Sequence, residues 1–156
     1  MKAIVYQKYG PPDVLQPKEV EKPALRDNEV LIRVHATSVT AADYGIRSFK
    51  VSIGFWLPAQ IALGLIRAKR AILGAEFDGE VEAVGKNVNL FKDGDQVFGY
   101  DGNGFGAYAE YLCRPEKKAV AIKPANMTYE EAAAVYHGGL SELFFLRDKG
   151  NIQNYF

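Results

Sequence analysis

The sequence predicts a mainly β fold with flanking helices, of the α+β class, and three observations carry this prediction. Short segments with apolar residues at alternate positions recur along the chain, as β-strands require. Clusters of Gly, Asn and Asp, which are typical of tight turns, separate these segments. Good helix formers are concentrated after Pro124. Many short strands with regular turns favour a β-barrel or a β-sandwich, and 156 residues with 48% hydrophobic content suffice for about one domain with a core.

The strands are predicted in order from this alternation. Residues 2–7 form the first strand, residues 10–13 a turn, and residues 14–20 a returning strand, which together make a hairpin-like unit. The clearest strand runs from Glu29 to Ala36, where Val30, Ile32 and Val34 share one face. The remaining strands are predicted over residues 77–84, 95–100, 107–113 and 118–122.

Two helices are predicted in the C-terminal part of the chain. Thr128 precedes Glu131 by three residues, which is a capping-box arrangement, so a helix is expected to begin near Thr128. The pair Gly138-Gly139 is expected to interrupt it, and a second helix with an apolar face is expected to end near Lys149 and Gly150. The apolar face of that helix consists of Leu140, Leu143, Phe144 and Leu146, and it needs a partner surface.

An uncharged run over residues 51–66 is the one stretch that resembles a membrane segment. It is shorter than the roughly 20 apolar residues that a spanning helix needs, and it contains Gly54, Pro58 and Gln60. We therefore expect no membrane partner and interpret Pro58 as the start of a helix that reaches about Arg70 and packs on the protein. The alternative is a mobile apolar flap over a pocket.

Charge and cysteine content exclude several classes of function. Lys and Arg total 19, as do Asp and Glu, so no basic field is available for nucleic acid. The single cysteine, Cys113, excludes an intrachain disulfide and is interpreted as a small core residue. No secretory signal is predicted at the N-terminus, so we expect a cytoplasmic protein.

Several motifs occur in a fixed order along nearly the whole chain. They are Tyr9-Gly10-Pro11-Pro12-Asp13, Asn28-Glu29-Val30-Leu31-Ile32-Arg33-Val34, Ala41-Ala42-Asp43-Tyr44-Gly45-Ile46-Arg47, Gly74-Ala75-Glu76-Phe77-Asp78-Gly79, Gly94-Asp95-Gln96-Val97-Phe98-Gly99, Gly106-Ala107-Tyr108-Ala109-Glu110-Tyr111 and Gly138-Gly139-Leu140. Taken together, they resemble the N-terminal part of the medium-chain dehydrogenase/reductase superfamily, in particular its zinc-independent quinone and enone reductases.

The resemblance implies a chaperonin-10-like, partly open β-barrel that is incomplete here and carries C-terminal helices. Residues 1–126 correspond to the catalytic-domain portion, with an apolar helical insertion at about 49–72. Residues 127–156 correspond to a helical segment that leads into a Rossmann domain, which is missing. The chain is therefore expected to be a fragment, an engineered truncation or a prematurely terminated frame, and to be inactive alone.

The resemblance also implies that zinc is absent. Zinc-dependent members place a cysteine two residues after Ser38 and a histidine just after Gly74, but this sequence has Thr40 and Ala75 there. Glu76 is interpreted as a polar residue on a strand edge. No metal site is therefore predicted.

Without a metal, hydrogen-bond donors can stabilise the oxyanion that develops during hydride addition. Thr40 and Tyr44 are the predicted catalytic residues because they lie four apart in a segment expected to form one helical turn. The resemblance places Thr40 and Ser141 beside the nicotinamide, as the predicted cofactor-binding residues. Asp43 and Arg47 have the spacing of a surface ion pair.

Three further features are interpreted as structural. The glycines of residues 101–106 resemble a dinucleotide-binding fingerprint, which requires a helix after the glycines. The segment that follows them alternates like a strand instead, so we interpret the loop as a hairpin connection. His35 and His137 are interpreted as structural residues.

The function that the resemblance implies is hydride transfer from NADPH or NADH to a small apolar carbonyl, enone or quinone. The sequence does not distinguish the two nucleotides, because the residues that read the ribose would lie in the missing domain. The alternative is a non-catalytic barrel module that acts by self-association or partner binding. A homo-oligomer is expected in either case, because unpaired strand edges and an uncovered apolar helix face favour association.

Overall fold

A five-stranded antiparallel sheet and a smaller two-stranded sheet form the frame of the protein. The computed structural model describes residues 1–49, 71–102 and 104–152. The strands are β1 (Lys2–Val5), β2 (Gln16–Glu19), β3 (Glu29–Ala36), β4 (Glu76–Val84), β5 (Gln96–Tyr100), β6 (Tyr111–Pro115) and β7 (Val120–Ile122). The helices are α1 (Ala41–Ser48) and α2 (Tyr129–Glu142), and a short 3-10 turn covers Pro12–Val14.

The larger sheet has the strand order β6-β3-β4-β5-β7, with every neighbouring pair antiparallel. Strands β1 and β2 form the other sheet, with Lys2 opposite Glu19. The edge strands β6 and β7 do not pair with each other among the described residues, so the barrel is not closed. The predicted class, mainly β with flanking helices and a partly open barrel, is confirmed.

The alternation of apolar residues explains why these strands share one core. Val30 and Ile32 on β3 are fully buried, and they pack with Phe77 and Val81 of β4 and Val97 of β5. Each strand thus directs one face inward because successive side chains point to opposite sides of the sheet. A second apolar cluster joins the smaller sheet to the segment before β4, through Tyr6, Leu73, Ala75 and Phe105.

Helix α2 packs against the larger sheet. Ala132 and Ala133 are buried beneath it. Three ring contacts link the helix to strands β3 and β5: Tyr129 stacks on His35, Tyr136 meets Phe98 edge-on, and His137 stacks on Tyr100.

The structure corrects three predicted elements. The first strand ends at Val5, because the backbone N–H of Tyr6 donates to Ala71 instead of continuing the β1–β2 ladder. The strand predicted over residues 107–113 begins only at Tyr111, since residues 107–110 cross from one sheet to the other. There the Glu110 N–H donates to Lys2, and the Val34 N–H donates to Glu110.

The third correction concerns the pair Gly138-Gly139, which does not interrupt the helix. A glycine weakens a helix by about 1 kcal/mol relative to alanine but leaves its hydrogen bonds intact. Helix α2 therefore continues to Glu142 and passes into a π-helical segment over Leu143–Lys149. The predicted end near Gly150 is confirmed by the hydrogen bond from the Gly150 N–H to the carbonyl of Phe145.

The helix predicted from Pro58 to Arg70 lies outside the described residues. Among the helices that are described, none combines the length and the hydropathy needed to cross a bilayer.

Candidate active site

Thr40 lies at the N-terminus of α1 and caps it. Its hydroxyl accepts a hydrogen bond from the Asp43 N–H at 3.3 Å. In return the Asp43 carboxylate accepts from the Thr40 N–H at 2.9 Å and from the Thr40 hydroxyl at 2.7 Å. This reciprocal arrangement is a capping box. Because the hydroxyl proton points at Asp43, Thr40 offers a lone pair rather than a proton to any ligand.

Asp43 and Arg47 do not form the predicted surface ion pair; that interpretation is wrong. Both side chains are buried, with exposures of 2% and 7%. The second carboxylate oxygen of Asp43 accepts from the Gly74 N–H at 3.0 Å, and Arg47 donates to the carbonyl of Gly10. Both side chains face inward, where each binds a backbone group of a different loop next to α1.

Tyr44 lies one turn after Thr40, as predicted. Its backbone N–H donates to the Thr40 carbonyl at 3.2 Å, which places the two residues in the same turn. The Tyr44 side chain is 45% exposed, and the guanidinium of Arg47 lies 5.5 Å from the centre of its ring. The phenol is therefore at the accessible side of α1, next to a buried cation.

Glu76 joins the loop before α1 to helix α2. Ser38 donates its hydroxyl proton to one carboxylate oxygen, and the His137 N–H donates to the other at 3.3 Å. The Thr37 hydroxyl donates to the Glu76 carbonyl at 2.6 Å. The interpretation of Glu76 as a strand-edge residue is wrong, because β4 lies inside the sheet and Glu76 is only 4% exposed.

Ser141 lies on α2, one turn beyond His137. Its hydroxyl donates to the His137 carbonyl at 2.8 Å. The turn that carries Ser141 is therefore connected through His137 and Glu76 to Ser38, two residues before Thr40. This series of hydrogen bonds links the turn of Ser141 to the loop before Thr40. It includes no direct hydrogen bond between Ser141 and Thr40.

Tyr108 is a residue of this site that the sequence analysis did not identify. Its hydroxyl donates to the Ser38 carbonyl at 3.3 Å. Burial raises the pKa of the Tyr108 phenol, and the nearby Asp43 and Glu76 carboxylates raise it further. Its ring lies against Gly74, where a β-carbon would come within 2.6 Å of the ring and where φ is +90°. The sequence carries no signal for this contact, because it joins two distant motifs.

Thr40 and Ala75 are the two residues that the sequence analysis compared with zinc ligands. The Thr40 hydroxyl is engaged with Asp43, and Ala75 presents a buried methyl group where a ligand would be needed. Within the described ranges, no group of three or more His, Cys, Asp or Glu residues is placed to hold a metal.

In the residues that the structure describes, Asp101 organises the glycine-containing loop after β5. The Asp101 carboxylate accepts from the Gly104 N–H at 2.6 Å and lies 3.4 Å from the Arg114 guanidinium. The loop leads toward strand β6, as predicted, and not into a helix whose N-terminus could meet a pyrophosphate. It is not a hairpin connection, however, because β5 and β6 are not neighbours in the sheet.

Comparison with known proteins gives consistent results. Residues 26–124 match the alcohol dehydrogenase GroES-like domain family. A quinone oxidoreductase of Pseudomonas aeruginosa is 34% identical over 146 residues, which cover 94% of this chain and 40% of the relative. The 2-methylene-furan-3-one reductase of Solanum lycopersicum is 34% identical over 143 residues, or 86% of this chain and 34% of that protein.

Solved structures show the same relationship. The quinone oxidoreductase from Coxiella burnetii superimposes with a TM-score of 0.83 at 31% identity, over 99% of this chain and 46% of that one. The Escherichia coli quinone oxidoreductase complexed with NADPH superimposes with a TM-score of 0.77 at 29% identity, over 94% of this chain and 40% of that one.

The fold is thus that of the N-terminal part of a medium-chain dehydrogenase/reductase. The chain belongs to the alcohol dehydrogenase GroES-like domain family, and quinone oxidoreductases are among its relatives. It spans less than half the length of these relatives.

Proposed function

We propose that the chain is the catalytic-domain portion of an NAD(P)H-dependent oxidoreductase that works without zinc and reduces an enone or a quinone. One observation supports this most directly: the two positions that hold zinc ligands in zinc-dependent members carry a capped threonine hydroxyl and a buried methyl group. The relatives named quinone oxidoreductase, one of them solved with NADPH, support the same reaction class.

The nicotinamide cofactor would supply the hydride, and the residues of this chain would stabilise the substrate oxygen. Tyr44 is the proposed donor to the developing oxyanion, since its phenol lies on the accessible side of α1 beside the Arg47 cation. Thr40 would face the nicotinamide, whose amide N–H can donate to the Thr40 lone pair, because the Thr40 proton is held by Asp43. Ser141 would lie nearer the cofactor, on the turn that Glu76 ties to this loop.

The substrate is proposed to be small and apolar. A groove of about 600 Å³ runs along the loop that precedes α1, and apolar side chains predominate in its walls, among them Ile4, Val34 and Val39. Tyr108, which holds the Ser38 carbonyl, also lines it. Such a groove favours a carbonyl, enone or quinone with an apolar body over a charged substrate.

The chain alone is proposed to be inactive, with residues 1–126 as the catalytic-domain portion and residues 127–156 as the connection to a nucleotide-binding domain. The described loops contain no pyrophosphate cradle, so the hydride donor would not be held at reacting distance. The intact protein is proposed to be cytoplasmic.

Calorimetry with NADPH on this chain tests the proposal, together with quinone reduction by a longer protein that carries a nucleotide-binding domain. We expect no micromolar binding by the chain alone. In the longer protein, Tyr44→Phe should lower kcat by about 10- to 1,000-fold, and a chelator should leave the rate unchanged. Micromolar binding by the chain, stoichiometric zinc, or an unaffected Tyr44→Phe enzyme would each contradict a part of the proposal.

A second candidate function is self-association without catalysis, and one observation favours it. The apolar side chains at the end of α2 and in the π-helical segment are 46–65% exposed: Leu140, Leu143, Phe144, Phe145 and Leu146. Exposed apolar surface of this kind favours an oligomer. Light scattering should show a dimer or a larger species that Leu143→Glu disrupts, and a monodisperse monomer would exclude this function.

A further inference from the structure

Asp78 is a fully buried carboxylate without a hydrogen-bond partner. It lies in the middle of β4, its exposure is 0%, and neither carboxylate oxygen has a hydrogen-bond partner among the described residues. Burial of an unpaired carboxylate disfavours its charged form, so such a group binds a proton more readily than an exposed one. Glu76 on the same strand differs, because it receives donors from Ser38 and His137.

The side chain of Asp78 lies on the sheet face that α2 covers. Residues two apart on a strand share a face, and Glu76 contacts α2 through the His137 N–H. The sheet partner of Asp78 on β5 is Phe98, whose ring meets Tyr136 of α2 at 5.1 Å. Asp78 is therefore enclosed between the sheet and the helix.

Lys123, the cation that acts electrostatically on Asp78, is already engaged. Lys123 is 7% exposed and donates to the carbonyls of Met127 at 2.6 Å and Pro124 at 3.3 Å. Its ammonium also lies 5.3 Å from the centre of the Tyr129 ring. These contacts hold the turn that leads into α2. A negative charge on Asp78 would compete with them for the same ammonium group.

The charged and titratable groups around this junction come from four elements. They are Glu76 and Glu80 on β4, Lys123 after β7, Tyr129, Glu130, Tyr136 and His137 on α2, and Arg33 and His35 on β3. Burial is the main reason that the pKa of Asp78 is raised to about 7; Lys123 opposes this rise, and Glu130 contributes to it.

We propose that the protonation state of Asp78 controls the docking of α2 on the sheet, and we call this carboxyl the Asp78 latch. The protonated carboxyl lets α2 dock. The ionised carboxyl weakens docking because it attracts Lys123 away from the turn before α2. The direction of this pH dependence follows from the linkage between proton binding and docking. Asp78 binds its proton more tightly when α2 is docked than when water reaches the carboxyl. Docking therefore weakens as the pH rises from about 4 to about 7 and stays weak above that range.

This latch would connect pH to the candidate site, because α2 carries His137 and Ser141. The inference concerns the docking of α2 alone, so it stands or fails independently of the proposed reductase activity.

Native-state hydrogen exchange measured by NMR on this chain tests the latch. The opening constant of α2 amides, corrected for intrinsic exchange, should rise on the order of fiftyfold between pH 5 and pH 7. It should then change by only about twofold up to pH 8.5. The amides of β3 provide the internal reference. In Asp78→Asn the rise should disappear, whereas the matched control Asp93→Asn, at an exposed position, should behave like the unmodified chain.

A rise that persists in Asp78→Asn would overturn the proposal, because a group other than Asp78 would then cause it. A direct titration covers the case in which Asp78→Asn does not fold. The carboxyl carbon of Asp78 in the unmodified chain should titrate with a midpoint near 7, and a midpoint below 5 would overturn the proposal.

Discussion

Replacing Asp43 by alanine removes three hydrogen bonds at once from the loop that carries Thr40. The carboxylate accepts from the Thr40 N–H, the Thr40 hydroxyl and the Gly74 N–H. Loss of a helix cap costs about 1 kcal/mol. The Gly74 N–H is buried, and an unsatisfied buried donor costs about 1–3 kcal/mol more. We therefore expect Asp43→Ala to destabilise the protein by about 3 kcal/mol.

The chain contains a matched control in its second capping box. Glu131 occupies the equivalent position in α2, where its carboxylate accepts from the Thr128 N–H at 2.9 Å. Glu131 is exposed, so water replaces the lost acceptor in Glu131→Ala. We expect this variant to cost about 0.5–1 kcal/mol.

Urea unfolding followed by far-UV circular dichroism measures both variants. With an m-value of about 2 kcal/mol/M, Asp43→Ala should lower the midpoint by about 1.5 M, and Glu131→Ala by less than about 0.5 M. The reasoning is refuted if the two variants are equally destabilised, because burial of Asp43 and its bond to Gly74 would then contribute nothing.

Three other predictions concern the core, the sheet and the thiol. Phe77→Ala should cost about 3–5 kcal/mol because Phe77 is fully buried, whereas Phe145→Ala, at a 65% exposed position, should change the free energy of unfolding by less than about 0.5 kcal/mol in the same assay. Gly79→Ala should cost about 1–3 kcal/mol, because its β-carbon would overlap the carbonyl oxygen of Arg33 on β3; a thermal midpoint equal to that of the unmodified chain would exclude this overlap. Burial raises the pKa of the Cys113 thiol to about 11, so alkylation by iodoacetamide at pH 8 should be on the order of 100-fold slower than for a free cysteine, and a rate equal to that of free cysteine would contradict the burial.

Local patterns predicted much of the fold. The alternation at Val30 and Ile32 identified β3 with its bounds, whereas the burial of Leu31 on the opposite face depends on the position of this strand inside the sheet. The capping box at Thr128 identified the start of α2, because its hydrogen bonds connect residues only three apart. The pair Gly138-Gly139 misled the prediction, since two glycines lower helix propensity without removing a hydrogen bond.

The candidate site was predictable only in part. Thr40 and Tyr44 were placed correctly on one turn, because their spacing is a local property. The burial of Asp43 and Arg47 was not predictable, because the same spacing occurs on exposed and on buried helix faces. Tyr108 was not identified, since its position depends on the close approach of Gly74.

The sequence by itself determined most of the strands, the start of α2, and which family the chain resembles, because these depend on neighbours within a few residues. Only the tertiary structure decided what each polar side chain does. Thr40 caps α1, and its hydroxyl proton is donated to Asp43. Glu76 links α2 to the loop before α1. Asp78 is enclosed without a hydrogen-bond partner among the described residues. The physical reason is that desolvation and hydrogen bonding depend on groups distant in the chain, which only the folded arrangement brings together.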